Sequence, residues 1–359
     1  MTILLARPPR TAAAPTDDAR GPAVDAPATH PMQSWSGEYC PFPLSSDSRQ
    51  FGLTASTMRL RGGTIVVRHG RRTAADTATI LLHGAAGSWT TWTPLLQAAH
   101  AADVPGFTDL IIPDLPGWGD STREKDAGAP TIEAAAALVA EIAEALGYRR
   151  WQVLGHSMGG LIALELAASF VPETTSVGLV SATTYSVIDS VRHPVSRFGI
   201  LPAYTALLGV MRVLARFERA GASLVRALDR LGALRPLTAP LFARVTAVHP
   251  SVISALATEV RPGRFAAASA LAGRYDADAA WSRIRCPVRA TRGASDVFVA
   301  EADTARLRQV IRDFTPHTLP GTGHFGHVEN PGDTLRLLGP VPTAGPIPLS
   351  TTGNATTLR

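Results

Sequence analysis

The five residues Gly155-His156-Ser157-Met158-Gly159 stand between an apolar stretch, Trp151-Gln152-Val153-Leu154, and a helix-like stretch from Gly160 to Phe170. The pentapeptide alone is a weak signal in a chain rich in Ala and Gly. Strand, sharp turn and helix in succession make it a turn that can present a nucleophile. A serine held out for attack sits on a strained turn, and larger residues at 155 and 159 would run into the adjoining strand and helix. Ser157 Oγ is therefore expected above a strand end, beside a helix N-terminus whose backbone N–H groups can face an oxyanion.

The rest of the chain repeats this alternation. Thr54–Leu60 and Thr64–His69 predict a hairpin around Arg61-Gly62-Gly63, and short buried strands follow at Thr79–Leu82, Leu110–Pro113, Val177–Val180, Pro287–Thr291 and His317–Leu319. Between them lie helical patterns, the best at Ile132–Leu146, Gly160–Ala168 and Ala302–Asp313. Short apolar strands alternating with helices specify an α/β fold with a mostly parallel sheet covered on both faces, and in such sheets function gathers at the carboxyl ends of the strands. Those ends here carry His83-Gly84, Asp114, Ser157, Asp296 and the His324 loop. At 359 residues, 45% hydrophobic and 18% charged, the chain has material for a large core plus an insert.

The insert is expected over 185–277. Ala203–Arg216, Gly221–Leu231, Ser251–Glu259 and Arg264–Arg274 have helical periodicity, with prolines between them and no convincing strand. A helical lid between two sheet strands fits that pattern; a core helix pair plus a loop is the alternative. The core then comprises 51–184 and 278–338. Most of residues 1–50, rich in Ala, Pro and Thr without periodicity, is expected to form a flexible arm, with Trp35, Tyr39, Phe42 and Phe51 as the groups able to pin its end to the domain, and 339–359 a loose tail.

Chemistry is excluded as well as included. A formal net charge of +5 comes from scattered arginines without a lysine block or basic–aromatic interleaving, so nucleic acid is not an expected partner. Cys40 and Cys286 cannot build a disulfide framework; Cys286 reads as buried and Cys40 as exposed. The first ten residues lack a signal-peptide pattern and no run of eighteen apolar residues occurs, so a cytoplasmic location without an integral membrane span is the default expectation. Neither a zinc-type His-x-x-x-His pair nor a Gly-x-Gly-x-x-Gly fingerprint is found, so no metal and no nicotinamide, flavin or pyridoxal cofactor is expected. Monomer and dimer both remain open.

A nucleophilic serine needs a base within hydrogen-bond reach and an acid to orient that base. The base candidates are His324 and His327 in Gly323-His324-Phe325-Gly326-His327-Val328-Glu329-Asn330-Pro331; His324, which follows the glycines of a loop tip, is preferred, and Glu329 reads as ordering the loop. Asp296, just past the strand at Val288–Thr291, is the preferred acid, with Asp114, Asp120 and Asp189 as rivals. Oxyanion donors are expected from the backbone N–H groups of Met158 and Ala85.

At these residues the chain resembles the serine α/β-hydrolase superfamily, in its lidded branch of esterases, carbon–carbon bond hydrolases and haloperoxidase-like proteins. His83-Gly84 to Ser88 resembles the family's oxyanion loop, Asp114 to Ser121 its Asp-x-x-Gly-x-Gly-x-Ser loop, Gly155 to Gly159 its nucleophile elbow, and Gly323-His324 to Pro331 its histidine loop. The resemblance spans about 53–338 and implies a Ser157–His324–Asp296 triad with a helical cap after Val177–Val180. Epoxide hydrolases and haloalkane dehalogenases of this fold use an aspartate where this chain has Ser157, which disfavours those activities. Trp89, Trp118, Leu207, Leu208 and Met211 are candidate pocket residues. The uncharged stretch 198–211 points to a hydrophobic ester or thioester as the small-molecule substrate, with a carbon–carbon bond beside a ketone, or a bound ligand that is never turned over, as alternatives.

Overall fold

In a computed structural model the chain is described over residues 38–339, apart from 72, 103, 105–106, 125–129 and 197; the side chains of 218 and 219 are also outside this description. Eight strands form one sheet in the order β1-β2-β4-β3-β5-β6-β7-β8, comprising β1 (Thr54–Leu60), β2 (Gly63–Gly70), β3 (Thr77–Leu82), β4 (Leu110–Pro113), β5 (Arg150–His156), β6 (Thr174–Val180), β7 (Val288–Gly293) and β8 (Phe314–Leu319). The hairpin β1–β2 and the β2–β4 pair are antiparallel, and the six strands from β4 to β8 run parallel.

The expected strands are present; β1 and β4 keep the expected bounds, and the other six run past theirs. β5 and β6 extend back to Arg150 and Thr174 because polar residues inside the sheet find partners. Buried Gln152 donates through Nε2 to Thr79 Oγ1 at 3.1 Å, so a side chain that breaks the apolar pattern is satisfied across the β3–β5 pair. On one face of the sheet pack α2 (Ile132–Ala145) and α3 (Met158–Ser169), with Trp151 and Trp281 in the same cluster. On the other pack α1 (Thr93–Ala101) and a C-terminal helix, around Trp92, Leu95 and Leu335. α1 was not among the expected helices.

Between β6 and β7 the chain is helical: α4 (Tyr185–Arg192), α5 (Pro202–Ala215), α6 (Glu218–Arg230), the short α7 (Leu234–Leu237), α8 (Pro250–Glu259), α9 (Pro262–Arg274) and α10 (Ala277–Trp281). After β7 come α11 (Ala302–Val310), β8, α12 (Gly326–Glu329) and α13 (Pro331–Leu338). The two ends of the insert belong to the core: Tyr185 and Ile188 of α4, and Ala277 and Trp281 of α10, join the main cluster. Asp303 of α11 holds the start of α4, accepting from Thr184 Oγ1 at 2.5 Å and from the Ser186 N–H at 3.0 Å. The first and last helices of the insert therefore pack with the core.

Residues 38–50 differ from a flexible arm. The Cys40 N–H donates to the Glu329 carbonyl at 2.8 Å, Tyr39 Oη to Glu329 Oε2 at 2.7 Å, and the Leu44 N–H to Ser251 Oγ at 2.9 Å. Tyr39, one of the arm's few large apolar groups, anchors this stretch together with Cys40. Cys40, expected to be exposed, is buried, as is Cys286; both are free thiols. The rest of the arm (1–37) and nearly all of the tail (340–359) lie outside the described residues.

Candidate active site

The register of the parallel strands brings their carboxyl ends level. Leu82 pairs with Gly155, His156 with Val180, and Val180 with Thr291, so the loops after β3, β5, β6 and β7 open onto one place. Ser157 sits between β5 and α3 with φ 49° and ψ −117°, a conformation that non-glycine residues rarely adopt. The glycines around it have no room for a side chain. A Cβ on Gly159 would lie 2.2 Å from the Leu82 carbonyl oxygen, and one on Gly155 would lie 2.3 Å from that of Gly159. Met158 opens α3, a position whose N–H has no partner within a helix. In the β3 loop, a Cβ on Gly84 would meet His156 Nδ1 at 2.8 Å and Ser157 Cβ at 3.0 Å, so the Ala85 backbone is held against the serine by glycine alone.

His324 and Asp296 are joined. His324 Nδ1–H lies 3.2 and 3.1 Å from the two carboxylate oxygens of Asp296, which leaves Nε2 for other work. The Phe298 N–H donates to Asp296 Oδ1 at 2.8 Å. Burial alone would raise the Asp296 carboxyl, but the His324 ring and the Phe298 N–H outweigh it and hold it below the ordinary carboxylate range. Ser157 and His324 line the same cavity, although no hydrogen bond links their side chains.

The loop carrying His324 is not a tip. His324 is 7% exposed, and its N–H donates to the Leu241 carbonyl of the insert at 2.8 Å. A Cβ on Gly323 would strike Leu241 O at 2.7 Å, and one on Gly293 would strike Gly323 O at 2.1 Å. The glycines therefore answer to close backbone approach, including approach by the insert. Glu329 clamps the loop from below, accepting from the N–H groups of Gly323 (2.9 Å), Phe325 (3.1 Å) and Ala243 (2.9 Å).

Behind His324 lie two further imidazoles. His156 Nε2–H donates to the His324 carbonyl at 3.1 Å, and the His327 ring lies 4.5 Å from those of both His156 and Trp92. Burial keeps both neutral: it pushes His156 well below its ordinary value and His327 down to about 3. His327 has no exposed surface, and neither ring nitrogen has a hydrogen-bond partner among the described residues. His156 is the functional neighbour that sequence reasoning missed; its position between the elbow glycine and the serine was the only signal.

The rival acids are engaged elsewhere. Asp114 is fully buried, accepting from Arg68 at 2.5 Å, from the Trp89 N–H at 2.8 Å and from the Asp120 N–H at 3.0 Å. Asp120 pairs with the same Arg68, and Asp189 lies 3.8 Å from Arg306.

Above Ser157 is a cavity of about 450 Å³. Its sheet side carries Ala85, Ala86, His156, Ser157, His324 and Phe325, and its far side Leu207, Val210, Met211, Leu214, Val225 and Leu228 of the insert. No Asp, Glu, Lys or Arg lines it among the described residues. Of the expected pocket residues, Leu207 and Met211 face this cavity and three do not. Leu208 packs inward against Val187, Tyr204 and Phe298. Trp89 lies in the core cluster of Trp92 and Leu95. Trp118 lines a separate cavity of about 440 Å³ with the Met158 side chain. Both tryptophans sit on loops beside the site, but large rings are most stable turned into the core.

The family profile described as "Alpha/beta hydrolase family" matches residues 79–337. A protein of Variovorax paradoxus provisionally named carbamate hydrolase RutD is 26% identical over 257 residues, covering 69% of this chain and 84% of its own length. A 2-hydroxy-6-oxononadienedioate/2-hydroxy-6-oxononatrienedioate hydrolase of Paraburkholderia phymatum is 29% identical over 35% of this chain and 43% of its own length. Solved structures share the fold. A hydrolase from Pseudomonas aeruginosa superposes with a TM-score of 0.59 at 19% identity, over 80% of this chain and 99% of that one. A thermophilic esterase from Thermogutta terrifontis gives 0.58 at 20% identity, over 79% and 96%.

Proposed function

This chain belongs to the alpha/beta hydrolase family and is a hydrolase; on that premise we propose that it cleaves a hydrophobic carboxylic ester or thioester through an acyl-enzyme on Ser157. His324 Nε2 removes the Ser157 proton as Oγ attacks the substrate carbonyl. Asp296, held ionised, keeps His324 Nδ1 protonated and stabilises the imidazolium. The N–H groups of Met158 and Ala85 receive the negative charge on the tetrahedral oxygen. His324 then protonates the departing alkoxide or thiolate, and water, deprotonated by the same imidazole, releases the acid. In this reading the insert acts as a lid, and its residues Leu207 and Met211 grade the acyl group.

The observation that carries this reading is the uncharged cavity above a serine on a strained turn. It also favours ester cleavage over the carbon–carbon alternative. The relative named for a nonadienedioate acts on a dianion, and a dianion in a closed cavity needs cationic partners. Among the described residues, the wall above Ser157 offers none.

A panel of p-nitrophenyl esters and acyl thioesters, from acetyl to long-chain and aryl, is the test. Turnover that increases with acyl size, abolished together with fluorophosphonate labelling in Ser157→Ala, is the expected result. Labelled Ser157 with no turnover of any ester, but cleavage of a vinylogous 1,5-diketone, would establish the carbon–carbon reading. Absence of labelling would leave a binding protein on this fold.

A further inference from the structure

The chain's positive charge is concentrated in the insert. Residues 190–244 hold nine arginines against Glu218 and Asp229, a net +7, while the whole chain is +5, so everything outside the segment sums to −2. Three of these arginines are engaged: Arg192 donates to the Gly273 and Tyr275 carbonyls, Arg235 to those of Val245 and Val248, and Arg244 lies over the Tyr39 ring at 4.2 Å. Arg212 of α5, Arg216 just past its end, and Arg226 and Arg230 of α6 are exposed.

Apolar side chains stand open on the same helices. Among the described residues, every large apolar side chain left this exposed lies between Val195 and Leu237, with the exception of Val297. Val210, Val213 and Phe217 fall at helical spacing along α5 and its end, with Phe217 65% exposed; Leu224 on α6 and Leu231 just past its end, the latter 80% exposed, follow. Val210 and Leu237 are both exposed and both line the cavity above Ser157, so the cavity opens on this face. An ordinary solvated helix face does not combine bare apolar side chains with unopposed guanidinium groups. That combination matches the headgroup region of an anionic bilayer, where apolar groups enter the acyl boundary and arginines meet lipid phosphates. The charge segregation selects a bilayer over a second copy of this chain, since two such faces would bring their arginines together.

We propose that the outer face of α5 and α6 docks on an anionic lipid surface with the cavity mouth turned toward it. Docking does not depend on the hydrolytic reading, and a membrane-facing mouth would let an apolar substrate enter without crossing water. Among the described residues no helix is long and apolar enough to cross a membrane.

Cosedimentation of the full chain with vesicles tests this. Binding to vesicles of 30% phosphatidylglycerol in phosphatidylcholine is expected to exceed binding to pure phosphatidylcholine at least tenfold in low salt, and to weaken as salt is raised. Arg212→Glu/Arg216→Glu and, separately, Val213→Ser/Phe217→Ser should each lower binding tenfold or more. Both variants should keep wild-type turnover of a soluble short-chain ester or, if no ester is turned over, wild-type thermal unfolding. Either readout shows a folded protein whatever the fate of the proposed chemistry. Equal binding to neutral and anionic vesicles, no binding to either, or full binding by both variants would overturn the proposal. So would a dimer in sedimentation velocity that dissociates in Val213→Ser/Phe217→Ser while vesicles stay unbound, because the face would then belong to a second copy.

Discussion

Two walls meet at one cavity and are built in opposite ways. On the sheet side, His324 is 7% exposed, its N–H, carbonyl and Nδ1 all have partners, and Glu329 ties its loop to Gly323, Phe325 and Ala243. On the insert side, Val210 is 53% exposed and meets the cavity with no hydrogen bond to fix it. Directional contacts hold atoms to fractions of an ångström, as proton transfer and attack demand. Dispersion contacts hold volume and polarity only, which suffices to sort acyl groups and tolerates change. Chemistry should therefore be sensitive on the sheet side and graded on the insert side.

The largest effect expected from that contrast is at Ser157. Ser157→Ala should lower kcat on a p-nitrophenyl ester by about 10⁴- to 10⁶-fold, and His324→Ala added to it should cost little more, because the two act as a unit. Strictly additive losses in stopped-flow acylation would break the pairing.

Next is the β3 loop. Gly84→Val places side-chain atoms into His156 and Ser157, so the Ala85 N–H should leave its position. A loss of about 10²- to 10³-fold in kcat, typical of one oxyanion donor, is expected with a nearly unchanged melting temperature. A fall in both together would mean that the substitution unfolds the loop instead of displacing a donor.

The buried imidazoles sharpen the comparison through pH. His327 has its pKa pressed to about 3 in the folded chain, against about 6.5 when unfolded. As pH falls below 6.5 the unfolded chain gains a proton that the folded chain refuses, so stability is lost on acidification. Between pH 7.5 and 5 this amounts to about 2 kcal/mol for one such histidine. His327→Phe should recover most of that amount in urea titrations at the two pH values and retain much of the activity. His156, depressed in the same direction by burial, should keep part of the slope in place.

The smallest effects belong to the insert. Leu207→Phe or Met211→Phe should move the preferred acyl length by a few carbons, with kcat/KM ratios between neighbouring esters changing about tenfold. An all-or-none change would mean that these side chains position the reacting carbonyl and do more than fill space.

Much of this was readable from residue order. The period of the apolar residues located the strands, and Gly155-His156-Ser157-Met158-Gly159 named the turn, because a steric requirement for glycine at two fixed positions is local. The placement of Ser157, Asp296 and His324 at one end of the sheet was readable too: each lies just past a strand, and parallel strands end together. What local pattern could not settle was the direction in which a side chain turns. Trp89 and Trp118 sit on site loops yet point into packing, and Leu208 turns inward between Leu207 and Met211, because the neighbours that decide this come from distant segments. Gly323 of the histidine loop likewise makes room for Leu241 of the insert, more than 80 residues away, and no spacing rule reports an approach of that kind. Element identity follows from short-range periodicity and sterics, which the sequence carries explicitly. The shape, charge and outlet of the cavity follow from which elements are pressed together, and only the folded chain sets that.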